Sequence, residues 1–276
     1  MKRLLSFLII CILVGPMNIK ATDFNHTDSI TINTVASPVL PDSLAVMPGI
    51  CQNRQIMNPY KFKPLQLIVP GVLIGVGVIG LESEWLQSKN TEIRDGLQEH
   101  PHSKVSVDDY MQYAPIVATY GLKLCGVKSM HGYADMTIIA GTAYLLTAIS
   151  VYGVKTLAKV ERPDGSSHNS FPSGHTATVF TGAELLRREY WNTSPWIGIA
   201  GYAVAAGTGF LRMYNNRHWL TDVIAGAGIG ILSVEAAYWL YPVITKTFFR
   251  KLYNKNIFIA PYASRHEGGI ACSITF

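Results

Sequence analysis

Six apolar stretches of helical length, all between residues 64 and 241, set the strongest limit on how this 276-residue chain can fold. Hydrophobic residues make up 49% of the chain and charged residues only 15%, whereas soluble domains usually carry about 25% charged residues. Small residues recur inside the stretches, as at Gly201, Ala205 and Gly209, and let helices approach closely. The pattern predicts an all-α, six-helix bundle, embedded in or associated with a membrane. The predicted helices are residues 64–81, 110–127, 134–154, 173–190, 196–211 and 219–241.

Charges inside these helices limit how many of them can cross a bilayer. The fourth helix carries Glu184, Arg187 and Arg188, and the sixth carries Glu235. A charge within a span is costly and usually faces the bundle interior or sits near an end. We expect four of the six to be able to cross, and we interpret the long, charged segment 82–109 as a connection.

The two ends of the chain differ from this core. Residues 1–21 combine a basic start with twelve apolar residues, and a possible cleavage site follows Ala21. This is typical of a signal peptide, and an uncleaved anchor is the alternative. Residues 22–63 are a polar, irregular lead-in, and residues 64–243 form the helical domain. In the tail, 244–276, segments 257–264 and 269–276 alternate in polarity and predict a short β-hairpin.

Charge and cysteine content exclude several classes of function. The net charge is +5, and the basic residues are scattered, so no nucleic-acid partner is expected. Loss of the signal would leave Cys51, Cys125 and Cys272. An odd, widely spaced set describes neither a disulfide framework nor a zinc site. No metal or cofactor is expected, and the oligomeric state stays open.

Three cations and a glycine-containing turn lie near the ends of predicted helices. Lys155 precedes Arg162 by seven residues, and Arg212 directly follows the fifth predicted helix. Guanidinium groups grip phosphate oxygens in bidentate fashion, and an ammonium group acts as a point charge. The run Pro172-Ser173-Gly174-His175 opens the fourth helix, where free backbone N–H groups form an anion site. Ser173 adds a hydroxyl donor, and Gly174 lets the backbone come close to the anion.

Two histidines and an aspartate complete a set suited to phosphoryl transfer. His218 and Asp222 are spaced i, i+4 and therefore share one helical face. A carboxylate on one ring nitrogen fixes the tautomer and leaves the other nitrogen free as a nucleophile. His175, on a different helix, can then protonate the leaving oxygen. Because the cations neutralise the phosphoryl charge, this chemistry needs no metal.

Nearby polar residues have simpler interpretations. His168 lies between the first two clusters and can reach the site, although a histidine in a loop is usually just solvated. Asp108 and Asp109 begin the second helix, and we interpret them as helix-capping residues.

The three clusters together resemble the tripartite signature of the type 2 phosphatidic acid phosphatase superfamily. They read KTLAKVERP from Lys155, PSGH from Pro172, and Arg212 followed by His218 and Asp222. That superfamily includes membrane lipid phosphatases, bacterial class A acid phosphatases, glucose-6-phosphatase and vanadium haloperoxidases. The resemblance covers about residues 64–243. Many members have Ser just before the third-cluster arginine, where this chain has Leu211.

The resemblance implies a helical bundle and the roles that the residues suggest. His218 would be the nucleophile, His175 the general acid and Asp222 the orienting carboxylate. The phosphate would be bound by Lys155, Arg162, Ser173, Gly174 and Arg212.

The apolar helices favour a lipid substrate, and we expect a metal-independent phosphatase of an envelope lipid, with lipid A first. An undecaprenyl pyrophosphate or phosphatidylglycerophosphate phosphatase is an alternative. Another alternative is a soluble periplasmic acid phosphatase of the class A type. A vanadium haloperoxidase is a remote alternative.

Two topological arguments conflict. Basic residues on the face away from the site favour a cytoplasmic position for that face and a periplasm-facing site. They are Arg54, Lys61, Lys63, Arg187, Arg188, Lys246, Arg250 and Lys251. A cleaved signal followed by six spans would instead place the site inside. We expect a periplasm-facing site, in the inner membrane or, less favoured, the outer membrane.

Overall fold

A computed structural model describes residues 64–99, 105–248, 256–263 and 268–275, so the predicted signal 1–21 and lead-in 22–63 lie outside the described residues. After a 3₁₀ turn at Pro64–Leu67, the described part contains eight α-helices and one two-stranded sheet. The helices are α1 Ile68–Ile79, α2 Glu84–Gln98, α3 Val107–Met111, α4 Ala114–Leu124, α5 Tyr133–Ala158, α6 Gly174–Tyr190, α7 Pro195–Tyr214 and α8 Leu220–Phe248. The strands are β1 Asn256–Ala263 and β2 Gly268–Thr275.

The predicted helical bundle is confirmed, and the third to sixth predicted helices correspond to α5 through α8. The prediction of one continuous second helix is wrong. The structure has two helices there, α3 and α4, separated by Gln112 and Tyr113. Pro115 lies in the first turn of α4. Proline has no backbone N–H to continue a preceding helix and suits the start of a new one.

The segment 82–109 is more than the connection that we expected, because it contains α2. Ser83 precedes this helix, and its hydroxyl oxygen accepts from the Leu86 N–H at 3.5 Å. The chain turns by 90° between α1 and α2. The buried Asn90 then donates to the Thr221 hydroxyl at 2.9 Å, which fixes α2 against the start of α8. The sequence pattern hid this helix because its few apolar residues form no continuous stretch.

Two helices in the described part are long and apolar enough to cross a membrane, against the four expected. They are α5, Tyr133–Ala158, and the Leu220–Thr247 portion of α8. The bent pair of Pro64–Ile79 and Glu84–Gln98 would raise the number to three if it acted as one span. Helix α1 has only 12 residues, short of the roughly 20 that a span needs.

Helix α6 is the centre of the bundle and packs along both α7 and α8. Glycines of α8 permit the close contact. A Cβ at Gly226 would lie 2.6 Å from the Ser173 carbonyl oxygen, and a Cβ at Gly230 would lie 2.5 Å from the Ala177 carbonyl oxygen. Contacts this short with backbone atoms leave room for hydrogen only, so glycine sets the distance between the two helices.

The predicted C-terminal hairpin is present, one residue earlier than expected at each strand. Strands β1 and β2 pair antiparallel, from Asn256 opposite Thr275 to Ala263 opposite Gly268. The hairpin and the helices fall in separate compact units.

Substitution of Gly230 by Ala tests the packing of α6 against α8. The added methyl group would meet the backbone at Ala177 and Thr181, so we expect Gly230→Ala to destabilise the fold by about 1–3 kcal/mol. Gly141→Ala on α5 is the matched control, because a Cβ there meets nothing within 4 Å. Thermal unfolding in detergent should show a lower midpoint for the first variant and an unchanged or higher midpoint for the second. Equal midpoints would contradict this account of the packing.

Candidate active site

The three sequence clusters meet at one end of the bundle. Lys155 lies in the last turn of α5, and Ser173 and Gly174 mark the beginning of α6. Arg212 is near the end of α7, and Asp222 is in the first turn of α8. The backbone joins two of these ends directly, since the Ser173 N–H donates to the Asp222 carbonyl oxygen at 3.0 Å.

His218 and Asp222 face each other in the buried part of the site. Their closest atoms, Nδ1 and Oδ2, are 3.5 Å apart, at the outer limit for a hydrogen bond. The Asp222 Oδ2 also accepts from the Trp219 backbone N–H at 2.9 Å. Asp222 is therefore a charge partner held in place by the turn that carries His218.

Ser170 completes this pair, and sequence reasoning missed it. Its hydroxyl donates to the Asp222 Oδ2 at 2.5 Å and lies 3.4 Å from the His218 Nδ1. The side chain is fully buried. Ser170 lies in a polar loop without helical periodicity, so nothing in its spacing distinguished it from neighbouring Ser166 and Ser167. Its position three residues before Ser173 was the one available signal.

His218 is neutral and has one nitrogen available. It is 4% exposed, and burial lowers the pKa of its imidazole to about 4, helped by the charges of Lys155 and Arg212 and opposed by Asp222. Among the described residues, its Nε2 has no hydrogen-bond partner. An uncharged ring with a free Nε2 suits a nucleophile.

The first-cluster cations are positioned by the loop between α5 and α6. The Lys155 Nζ donates to the Asn169 and Ser170 carbonyl oxygens, at 2.5 and 3.4 Å. The Arg162 Nε donates to the Asn169 Oδ1 at 3.0 Å. Burial, followed by the charges of Arg217 and Arg212, lowers the pKa of Arg162. Positive charge is thus concentrated at this end, as an anion site requires.

The second cluster is close-packed. Ser173 is fully buried, and its hydroxyl oxygen accepts from the Thr176 hydroxyl at 2.9 Å. Gly174 is the first residue of α6. A Cβ there would lie 3.8 Å from the Val151 Cγ1, an ordinary contact, so packing within the protein does not require glycine at this position.

The interpretation of Asp108 and Asp109 as helix-capping residues is wrong. Ser106 precedes α3, and no side chain caps it. Instead Asp108 pairs with the Arg212 Nη1 at 2.6 Å, and Asp109 pairs with the His175 Nε2 at 3.0 Å. Both aspartates therefore belong to the site, brought there from α3 by tertiary packing.

The remaining residues near the site are less involved. His168 is exposed and has no hydrogen-bond partner within the described ranges. Asp164 accepts from the Arg217 Nη1 at 3.1 Å and from the Ser166 N–H at 3.0 Å, so it shapes the loop. In the part of the chain that the structure describes, no group of three or more His, Cys, Asp or Glu side chains is arranged to hold a metal ion.

Comparison with known proteins identifies relatives that match part of this chain. Lipid A 1-phosphatase of Porphyromonas gingivalis is 40% identical over 144 residues, which are 52% of this chain and 32% of that protein. An undecaprenyl-diphosphatase of Sulfolobus acidocaldarius is 42% identical over 71 residues, 24% of this chain and 32% of that protein. The chain thus spans about a third of the length of each of these relatives.

Among solved structures, LpxE of Aquifex aeolicus matches 53% of this chain and 93% of its own, with 22% identity and a TM-score of 0.43. The family model described as the PAP2 superfamily matches residues 136–246. That range contains the proposed nucleophile, the proposed general acid and every predicted phosphate-binding residue. The resemblance indicated by the three motifs is therefore confirmed over residues 136–246, which match the PAP2 superfamily.

Proposed function

We propose that this protein is a phosphatase that removes a phosphate group from an envelope lipid through a phosphohistidine on His218. One observation carries the proposal: a buried, neutral histidine with a free Nε2 lies beside cations and the start of α6, with its Nδ1 against a carboxylate and a serine hydroxyl. An arrangement of this kind supplies a nucleophile and charge neutralisation together.

In the first step, the lone pair of the His218 Nε2 attacks phosphorus and forms an N–P bond. The bond from phosphorus to the lipid oxygen breaks, and its electron pair goes to that oxygen. His175 donates a proton, so the lipid leaves as an alcohol. Asp222 stabilises the positive charge that develops on the His218 ring, and Ser170 holds the carboxylate in place.

In the second step, water attacks the phosphohistidine. His175, now neutral, accepts a proton from that water, and the N–P bond breaks with its electron pair returning to the Nε2. Inorganic phosphate leaves, and both histidines return to their starting states. In this scheme Lys155, Arg162, Arg212, the Ser173 hydroxyl and the Gly174 N–H bind the three phosphoryl oxygens.

A lipid substrate is supported by the surface of the helices. Large apolar side chains such as Val72, Leu145 and Ile149 are exposed along α1 and α5. Leu145 and Ile149 are one turn apart on α5, and an exposed apolar helix face of this kind fits a membrane protein better than a soluble acid phosphatase. The relative from Porphyromonas gingivalis, a lipid A 1-phosphatase, makes lipid A the first substrate that we propose.

A polyprenyl diphosphate is the second candidate substrate. It is favoured by the undecaprenyl-diphosphatase match, which is 42% identical over 71 residues. The same cations would bind the terminal phosphate of a diphosphate. The leaving group would then be the polyprenyl monophosphate.

Substitution of His218 tests the chemistry. We expect His218→Ala to lower phosphate release by about a thousandfold or more, since the variant lacks the nucleophile. Radiolabel from the phosphate of a substrate should stay on the wild-type protein after alkaline denaturation and be absent from the variant. His168→Ala, in an exposed loop position, is the matched control and should behave as wild type. Activity lost to a chelator and restored by a divalent ion would contradict the mechanism.

Mass spectrometry of envelope lipids tests the substrate. In a Gram-negative host that produces the protein, we expect lipid A lacking one phosphate group to accumulate, and His218→Ala to abolish this change. Depletion of polyprenyl diphosphate with unchanged lipid A would favour the second candidate. A protein that salt extracts without detergent, and that hydrolyses only small soluble phosphomonoesters, would contradict a lipid substrate altogether.

We also propose that residues 1–21 are a signal peptide and that the site faces the periplasm from the inner membrane. Lys246 lies in the last turn of α8, at the end away from the site, and supports this orientation. The other residues predicted for that face, apart from Arg187 and Arg188, lie outside the described residues. Arg187 and Arg188 contribute less than expected, because they pair with Glu184 and Glu235. The opposing argument assumed six spans, whereas two helices of the described part qualify on length and composition.

Cysteine labelling tests the orientation. In a variant without native cysteines, Ser166→Cys places a thiol on the exposed loop beside the site, and Asn192→Cys places one at the other end of α6. The two ends are about 25 Å apart at 1.5 Å per residue. We expect a membrane-impermeant maleimide to label only the first variant in cells with a permeabilised outer membrane. Labelling of only the second variant would place the site in the cytoplasm.

A further inference from the structure

Helix α3 is held firmly across the phosphate-binding end of the bundle. Asp108 is 1% exposed and pairs with the Arg212 Nη1 at 2.6 Å. Just before the helix, the Asn215 side chain exchanges two hydrogen bonds with the Val105 backbone, at 2.9 and 2.8 Å. These contacts fix the position of the residue that follows Asp108.

That residue, Asp109, reaches His175. Its Oδ1 lies 3.0 Å from the His175 Nε2 and 3.6 Å from the Arg212 Nη1. The Asp109 side chain is 57% exposed. An ion pair that water reaches this well contributes little to stability, so the contact has no evident structural purpose.

The chemistry of His175 gives the contact a purpose. A general acid must carry a proton when the substrate binds. Burial, followed by the positive charge of Arg212, lowers the pKa of His175, whereas the hydrogen bond and charge of Asp109 and the charge of Asp108 oppose that change. Among the described residues, the charged groups that act on the His175 ring are therefore Arg212, Asp108 and Asp109.

The ring nitrogens of His175 are used in the opposite sense to those of His218. In His218 the Nδ1 faces the carboxylate, and the Nε2 is free. In His175 the Nε2 faces the carboxylate, and the Nδ1 has no hydrogen-bond partner among the described residues. The protonated ring can therefore donate its Nε2–H to Asp109 and keep its Nδ1–H for the leaving oxygen.

We propose that Asp109 is a positioning residue that orients His175 and favours its protonated form, so that the site contains two histidine–carboxylate pairs with different tasks. The inference rests on the proposed function and deepens it. His218 with Asp222 would form the bond to phosphorus, and His175 with Asp109 would supply the proton to the lipid oxygen.

Leaving groups of different basicity test this role. Departure of an alkyl oxygen needs the acid, whereas departure of p-nitrophenolate hardly does. We expect Asp109→Asn to lower kcat on phosphatidate in detergent micelles by about 10- to 100-fold, and on p-nitrophenyl phosphate by less than about 3-fold. Glu92→Gln is the matched control, because Glu92 is 65% exposed and pairs with Lys89 away from the site; we expect it to match wild type.

The pH profile and a double variant separate positioning from a purely structural effect. Removal of a neighbouring negative charge lowers the pKa of His175, so the basic limb of kcat/KM should move to lower pH in Asp109→Asn. In a His175→Asn background, Asp109→Asn should change kcat by less than about 2-fold, since the residue acts through the missing ring.

Several results would overturn the inference. Equal losses on both substrates, or an unmoved basic limb, would make Asp109 merely structural. If Asp109→Asn lowers KM and raises kcat/KM, the Asp109 carboxylate competes with the substrate for the phosphate site. If wild type is active and Asp109→Asn matches Glu92→Gln on both substrates, this inference alone fails. If wild type releases phosphate from neither substrate, the proposed function fails and the inference fails with it.

Discussion

The junction between the starts of α6 and α8 is the constraint on which the rest of the site depends. The Ser173 N–H donates to the Asp222 carbonyl oxygen at 3.0 Å, and Gly226 allows the Ser173 carbonyl to lie against α8. The helix that begins at Gly174 is thereby fixed to the helix that carries Asp222. Ser170, three residues earlier, then falls within reach of Asp222 and His218.

Charge balance explains how so many ionised groups share one end of the bundle. Lys155, Arg162 and Arg212 would repel one another in a poorly hydrated site. The protein offsets them with Asp222 from α8 and Asp108 from α3, and each of these carboxylates is almost fully buried. Because the carboxylates come from different helices, the balance also holds α3 and α8 to the ends of α5 and α7.

The opposite end of the bundle has a charge network of its own. Glu184 is buried and accepts two hydrogen bonds from Arg187, at 2.8 and 2.5 Å, while Glu235 pairs with Arg188 at 3.0 Å. These are the charges that made the fourth and sixth predicted helices imperfect as spans. Buried charges are tolerated when they are paired and hydrogen-bonded, and the pair of Arg188 with Glu235 also joins α6 to α8.

The sequence by itself determined the helical character, the hairpin, and the residue types of the three clusters. Apolar stretches of helical length, and residue types with defined affinity for phosphate, are local properties that spacing reveals. The pairing of His218 with Asp222 could be predicted because the two residues are four positions apart. The PSGH motif could be recognised because its four residues are consecutive.

Tertiary structure alone decided the partners of those clusters. Ser170 meets Asp222 across 52 positions, Asp109 meets His175 across 66, and Asp108 meets Arg212 across 104. Contacts at such separations depend on how helices pack, and packing depends on small features such as the hydrogen of Gly226. Helix α2 was hidden for a related reason: its polar sequence becomes ordered against the bundle through contacts such as Asn90 with Thr221. The local sequence pattern specifies the chemistry that a residue can perform. The packing of the helices specifies which distant residue becomes its partner.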